Sequence, residues 1–151
     1  MSTLERALEI AVCAHKGQSQ KNATPYVLHP LHLMQQVETI EEKIVALLHD
    51  VVEDSGLTLD DLRAEGFGEK IIAAIALLTR NTGQSYAEYI ARIQHNELAR
   101  TVKLVDLKHN MDITRIEQLT DNDLKRLQKY HATWKKLRDK PLCDKPRTKE
   151  A

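Results

Sequence analysis

The chain has 151 residues, which is enough for one hydrophobic core and too few for two ordinary domains. Its 22 basic residues balance its 22 acidic residues, so the composition gives no sign of nucleic acid as the main partner. With two cysteines, no secretory segment and no apolar run long enough to span a bilayer, we expect a cytoplasmic protein that binds neither nucleic acid nor membrane.

The first predicted helix runs from Leu4 to Ala14, because apolar residues recur there on one helical face. Ser2 and Glu5 have the spacing of a capping box at its start. A polar loop follows this helix, as far as Pro25.

The second and third predicted helices place ligand-type side chains near their ends. Proline suits the first turn of a helix, so a helix is predicted from Pro30 to about Val37, with His29 at the junction of loop and helix. From Glu41 onwards the pattern is apolar on more than one face, which is typical of a helix in the middle of a bundle. His49-Asp50 is predicted to lie in the last turn of this third helix.

Five more helical patterns complete the predicted fold: a short helix capped by Thr58 and Asp61, an apolar helix around Ile71 to Leu78, amphipathic helices from Tyr86 to Ile93 and from Glu97 to about Met111, and a last helix to Arg138. No alternating strand pattern appears, so we predict an all-α single domain of about seven or eight helices over residues 1–139. The last helix is expected to bury Leu124, Leu127, Tyr130, Trp134 and Leu137, and the polar tail 140–151 to be disordered.

Four short clusters of candidate metal ligands stand on or beside the apolar stripes: His29, His49-Asp50, Glu53-Asp54, and Asp106 with Asn110. Polar groups at positions where a plain core has leucine or isoleucine need a compensating partner, such as a divalent cation. Two imidazoles with two carboxylates suit manganese, iron or zinc, and such a set leaves positions open for water and a phosphate oxygen. The pattern therefore indicates a metal-dependent phosphohydrolase.

Other polar residues near these clusters suit proton transfer and substrate binding. Glu53 and Asp54 stand about one turn beyond the His-Asp pair, where an acid or base would serve an attacking water. Asn110 shares a helix face with Asp106 and can donate a hydrogen bond to a ligand or a substrate oxygen. Lys21, in the polar loop, is either a phosphate clamp or a solvated side chain.

Four runs of the sequence resemble the HD-superfamily hydrolase domain of the Rel/Spo alarmone enzymes and their small stand-alone relatives: Ala14–Gln18, Pro25–Pro30, His49–Ser55 and Val102–Met111. The resemblance covers about Leu4 to Tyr130. It implies an HD-type helical bundle holding one Mn²⁺, and a reaction of the stringent response that removes the 3′-pyrophosphate of (p)ppGpp.

The resemblance also implies a role for each matching residue. Its metal ligands are His29, His49, Asp50 and Asp106. Glu53 and Asp54 take the water-activating and proton-handling role, and Lys21 and Asn110 lie at the substrate.

The chain departs from the family pattern around the expected substrate. Gln20 stands where the family usually has arginine, and Asp112 and Ile113 replace an arginine and a threonine. These differences leave open a second substrate class, another phosphorylated nucleotide or a cofactor such as NADPH. A catalytically idle alarmone-binding module is a further alternative, and the oligomeric state stays open.

Overall fold

The computed structural model describes residues 2–139, so the tail 140–151 and its expected disorder lie outside the described residues. Within this range the chain forms nine α-helices and one short 3-10 helix (Ile113–Arg115), and its only strand-like pairing is an isolated bridge between Ser19 and Pro25. The all-α prediction is confirmed. The α-helices are α1 (Leu4–Ala14), α2 (Leu28–Gln35), α3 (Ile40–Leu48), α4 (Val51–Asp54), α5 (Leu59–Ala64), α6 (Glu69–Leu78), α7 (Tyr86–Gln94), α8 (Glu97–Asn110) and α9 (Asp121–Arg138).

Helix α3 is the centre of the bundle. It packs against α1, α2, α6 and α8, and every residue from 44 to 48 is buried. This C-terminal half of the helix has no solvent face, so it points the next residues into the interior. This end delivers His49 to the middle of the protein, where its side chain is 4% exposed. None of the helices between residues 2 and 139 has the length and apolar character needed to cross a membrane.

The third helix does not continue through the His-Asp pair as predicted. Helix α3 ends at Leu48, and His49 and Asp50 form the junction before α4. The prediction did not distinguish α4 as a separate helix. The His49 ring approaches the carbonyl of Ala46 at 2.6 Å, the acceptor that the next helical turn would otherwise use. The ring thus replaces a backbone hydrogen bond at the point where the helix stops.

Two smaller predictions about helix ends and burial are also wrong. Thr3, and not Ser2, caps α1 by accepting the backbone N–H of Arg6 at 3.2 Å, because the helix begins at Leu4 and residue 3 therefore holds the N-cap position. Leu124 is 48% exposed, because only the C-terminal half of α9 reaches the core. The N-terminal half of α9 instead borders a cavity.

Candidate metal centre

The four predicted metal ligands come together from three parts of the fold. His29 lies in the first turn of α2, His49 and Asp50 in the α3–α4 junction, and Asp106 on α8. The Nε2 atom of His49 is 2.9 Å from Asp50 Oδ2 and 3.7 Å from Asp106 Oδ1, while His29 Nε2 is 2.9 Å from Asp106 Oδ1. His29, His49 and Asp50 each offer one ligand atom within 4.8 Å of the others, a spacing that one ion can bridge.

The His49 ring has the orientation expected of a metal ligand. Its Nδ1–H donates to the Ala46 carbonyl, which leaves the lone pair on Nε2. This buried Nε2 has no hydrogen-bond partner among the described residues, although a carboxylate oxygen of Asp50 lies beside it. Two electron-rich atoms at 2.9 Å repel unless a proton or a cation lies with them. The donor set therefore fits a divalent metal ion.

Electrostatics in the metal-free centre support the same interpretation. Although burial opposes charging of the ring, the carboxylates of Asp50 and Asp106 raise the pKa of His49. Against the opposing effect of burial, the facing His49 lowers the pKa of Asp50 to about 2. A proton on His49 thus occupies the place that a cation would take.

A second layer of side chains fixes the two carboxylates. The hydroxyl of Tyr26 donates a short hydrogen bond to Asp50, and the ammonium of Lys103 lies 2.8 Å from Asp106 Oδ2. Asn110 donates from Nδ2 to Asp106 Oδ1 at 3.1 Å. One of its two predicted roles was a hydrogen bond to a metal ligand, and this contact fits that role. Such outer partners orient metal ligands and tune their basicity.

Sequence reasoning gave no role to Tyr26 or Lys103, although each carried a signal. Tyr26 stands in the same short run as His29, and Lys103 precedes Asp106 by three residues, one turn of helix. Lys103 is 13% exposed at the side chain, so its charge needs the partner that Asp106 provides.

Histidines also stack against His29 on the side away from Asp106. The Nδ1 atoms of His29 and His109 are 2.7 Å apart, and their rings stack with centroids 4.9 Å apart. The His32 ring in turn stacks on His109 with centroids 4.0 Å apart. Burial, together with the positive charge of Arg115, lowers the pKa of His109 to about 3, so that ring is neutral near pH 7. A neutral His109 holds the His29 ring with Nε2 towards the centre.

Glu53 and Asp54 lie on α4, just beyond the His-Asp junction. Both are exposed, and a Glu53 carboxylate oxygen accepts the backbone N–H of Arg80. Partial burial, and then the negative charge of Asp50, raise the pKa of Asp54. The same two causes raise the pKa of Glu53, although its hydrogen bond from the Arg80 backbone opposes them. Neither residue lines the cavity that opens beside the metal ligands. Their catalytic role stays a prediction.

A cavity of about 420 Å³ opens beside the metal ligands, within the usual range for small-molecule sites. Both predicted substrate residues, Lys21 and Asn110, line it. The Lys21 ammonium is 68% exposed and lies 3.4 Å from Asp123 on α9. Arg115, to which the sequence gave no role, lies in the same wall. The cavity thus joins the candidate metal centre to several cationic side chains, an arrangement suited to a phosphorylated ligand.

No protein-family model matches the chain. Among curated proteins, it is 30% identical over 124 residues to a probable GTP pyrophosphokinase of Mycobacterium leprae, covering 74% of this chain and 16% of that protein. It is 31% identical over 117 residues to a guanosine-3′,5′-bis(diphosphate) 3′-pyrophosphohydrolase of Haemophilus influenzae, covering 68% and 17%. A protein of the same name from Aquifex aeolicus is 33% identical over 81 residues, covering 51% and 12%.

A solved structure extends the likeness to the whole fold. It is described as a metazoan ortholog of SpoT that hydrolyzes ppGpp, and it matches with a TM-score of 0.76 at 20% identity. The match covers 92% of this chain and 87% of that one. The chain spans less than a fifth of the length of the three curated relatives named above, so the likeness to them concerns one domain.

Proposed function

The chain belongs to the HD-type hydrolase domains of the Rel/Spo group, and on this basis we propose that it releases pyrophosphate from (p)ppGpp in a metal-dependent reaction. The names of the curated relatives support this reaction and substrate. The observation that carries the proposal is the buried, unbonded Nε2 of His49, which lies 2.9 Å from an Asp50 oxygen and 3.7 Å from an Asp106 oxygen.

In this proposal the resident cation is Mn²⁺, held by His29, His49, Asp50 and Asp106. A mixed imidazole and carboxylate set suits Mn²⁺. When bound, the cation would supply a water that ionises near neutral pH and would neutralise charge on the phosphoryl group. Tyr26, Lys103 and Asn110 would keep the two carboxylates in position, as their hydrogen bonds to Asp50 and Asp106 suggest.

The proposed reaction breaks the bond between the ribose O3′ and the phosphorus attached to it. A water oxygen forms a new bond to that phosphorus, so the products are GDP (or GTP) and pyrophosphate. One proton leaves the water, and one joins the departing O3′. Glu53 and Asp54 are the proposed proton carriers, supported by their position next to Asp50 and by their raised pKa values. Lys21 is proposed to hold a substrate phosphate, and Asn110 to orient substrate through its contact with Asp106.

A cytoplasmic location belongs to the same proposal. Cys13 is a free, exposed thiol, as expected of a protein in a reducing compartment. The proposed partner is therefore a phosphorylated nucleotide of the cytoplasm.

The experiment is to incubate the Mn²⁺-loaded protein with ppGpp and to separate the products by anion-exchange chromatography. We expect pyrophosphate and GDP in equal amounts. His49→Ala and Asp50→Ala should abolish the reaction, whereas His95→Ala, which changes an exposed histidine at the end of α7, should leave it intact. A manganese-loaded wild-type protein that leaves ppGpp unchanged would show that the proposed substrate is wrong.

A second candidate keeps the centre and changes the substrate to another phosphorylated nucleotide or a cofactor such as NADPH. The observation in its favour is Gln20, an uncharged residue in the cavity wall at a position where the related hydrolases usually have arginine. A phosphate- and pyrophosphate-release screen over nucleotides separates the two. Tight ppGpp binding without turnover, in a protein that holds no metal, would instead identify an idle alarmone-binding module.

A further inference from the structure

Arg115 ends the short 3-10 helix between α8 and α9, and its guanidinium is half-buried in the cavity wall. Nη1 donates to the carbonyl of His109 at 2.9 Å, and Nη2 donates to Oε1 of Gln20. Both acceptors are uncharged. Lys21 and Lys103, two other cations of this wall, are instead paired with Asp123 and Asp106.

The charge of Arg115 is therefore not cancelled by a direct partner. Among the described residues, no carboxylate oxygen lies within ion-pair distance of its guanidinium. A guanidinium has five N–H donors, and the two bonds to Gln20 and His109 leave others for a ligand. Burial lowers the pKa of Arg115, and the carboxylates of Asp112 and, more weakly, Asp106 oppose this shift from beyond ion-pair distance.

Gln20 is itself held so that its carbonyl oxygen faces Arg115. Its Nε2 donates to Thr24 Oγ1 at 3.1 Å and to the Pro25 carbonyl at 3.3 Å, which fixes the amide plane. An arginine at position 20 would bring a second guanidinium against the first, at a cost from like-charge repulsion. Glutamine at position 20 and arginine at position 115 therefore form a matched pair.

We propose that Arg115 is an anion-binding residue of this cavity, which takes a phosphate or pyrophosphate group of the substrate and is positioned by Gln20. The planar fork of a guanidinium fits phosphate oxygens in pairs, and charge-assisted hydrogen bonds of this type are the strong ones. The nucleotide identity of that ligand rests on the proposed function. Anion binding by Arg115 does not.

Isothermal titration calorimetry with inorganic pyrophosphate, using the full chain with and without Mn²⁺, tests the proposal. Loss of charge-assisted hydrogen bonds should make Arg115→Ala bind roughly tenfold more weakly or worse. Arg115→Lys, which keeps the charge and loses the fork, should fall between the two. The matched control is Arg92→Ala, which removes an exposed arginine of α7 outside this cavity and should bind within about twofold of wild type. Equal binding by wild type and Arg115→Ala, or no binding by wild type, overturns the proposal.

Gln20→Glu separates anion binding from a merely structural clamp. A carboxylate at this position keeps an oxygen towards Arg115 and neutralises its charge, while it loses the bonds that Nε2 donates to Thr24 and Pro25. If Arg115 only fastens the 3-10 helix, the variant should keep its pyrophosphate affinity. If Arg115 binds the anion, the affinity should fall about as far as in Arg115→Ala. Asn22→Asp adds the same charge to the same cavity wall, and its side-chain oxygen can still accept from Thr24, so it measures simple repulsion. A loss in Gln20→Glu no larger than in Asn22→Asp contradicts the proposal.

These measurements need no turnover, so the two proposals fail separately. A protein that binds pyrophosphate through Arg115 but leaves ppGpp intact refutes only the proposed function. A protein that hydrolyses ppGpp, with KM and pyrophosphate affinity unchanged in Arg115→Ala, refutes only the role of Arg115.

Discussion

Replacing Lys103 with methionine tests how much the buried ion pair between Lys103 and Asp106 stabilises the metal-free protein. The Lys103 ammonium is 2.8 Å from Asp106 Oδ2, and the two side chains are 13% and 7% exposed. It also lies over the Tyr89 ring at 5.3 Å. Lys103→Met keeps most of the side-chain volume and removes the closest cation from the buried Asp106 carboxylate.

The expected cost follows from this burial. Removing one partner of a buried ion pair destabilises proteins by about 3–5 kcal/mol, because the remaining charge is left uncompensated. For a chain of this size each kcal/mol lowers the melting temperature by roughly 2–4 °C. We therefore expect the metal-free variant to melt roughly 6 °C or more below wild type. Added Mn²⁺ should recover part of the loss, since a cation at the centre again compensates Asp106.

Thermal unfolding followed by circular dichroism, with and without Mn²⁺, measures both effects. Lys70→Met is the matched control, because Lys70 forms an equally short bond of 2.7 Å to Glu41 on the surface, where the side chains are 69% and 49% exposed. Its melting temperature should stay close to that of wild type. If metal-free Lys103→Met melts within about 2 °C of wild type, the reasoning about a buried pair is refuted.

Three further predictions concern the carboxylates and their partners. Tyr26→Phe removes the hydrogen bond to Asp50, and loss of such an outer partner should weaken Mn²⁺ binding roughly tenfold or more, measured by titration calorimetry; unchanged affinity would show that the tyrosine does not orient the ligand. Glu53→Gln should lower kcat by about 10²–10⁴ with little change in KM or Mn²⁺ affinity if Glu53 carries a proton, and a full-rate variant would exclude it as the base or acid. In the metal-free protein the pKa of Asp50 is lowered to about 2. Ionised Asp50 therefore adds about 2 kcal/mol to the free energy of unfolding above the ordinary carboxyl pKa near 4, and this contribution is lost as the pH falls towards 2. Urea unfolding between pH 5 and pH 2 checks this, and Asp50→Asn should flatten that decline, whereas an equally steep curve would contradict the assignment.

The sequence was most informative where polar residues interrupt apolar helices. His29, His49, Asp50 and Asp106 lie close together, because each begins, follows or continues a buried stripe and the stripes of α2, α3 and α8 meet. The break between α3 and α4 was not predicted, because apolar spacing continues through it. It depends on a contact between the His49 ring and a backbone carbonyl, which periodicity does not report.

Residues of the cavity wall were harder to predict, because the chain brings them from distant positions. Arg115 meets Gln20 across 95 residues of sequence, and no local pattern marks that contact. The exposure of Leu124 was not predicted either, since the apolar spacing of α9 does not reveal that only its C-terminal half reaches the core. The effect of glutamine at position 20 therefore depends on its contact with Arg115, which the sequence alone does not reveal.

In the proposed reaction one Mn²⁺, held by His29, His49, Asp50 and Asp106, is required for hydrolysis of ppGpp. Titration of Mn²⁺ into the metal-free protein, while pyrophosphate release from ppGpp is followed, tests this requirement. We expect activity to rise from zero and to saturate at one equivalent of metal, and Asp106→Asn to show no such rise. Pyrophosphate release by the chelator-treated, metal-free protein at the wild-type rate would contradict it.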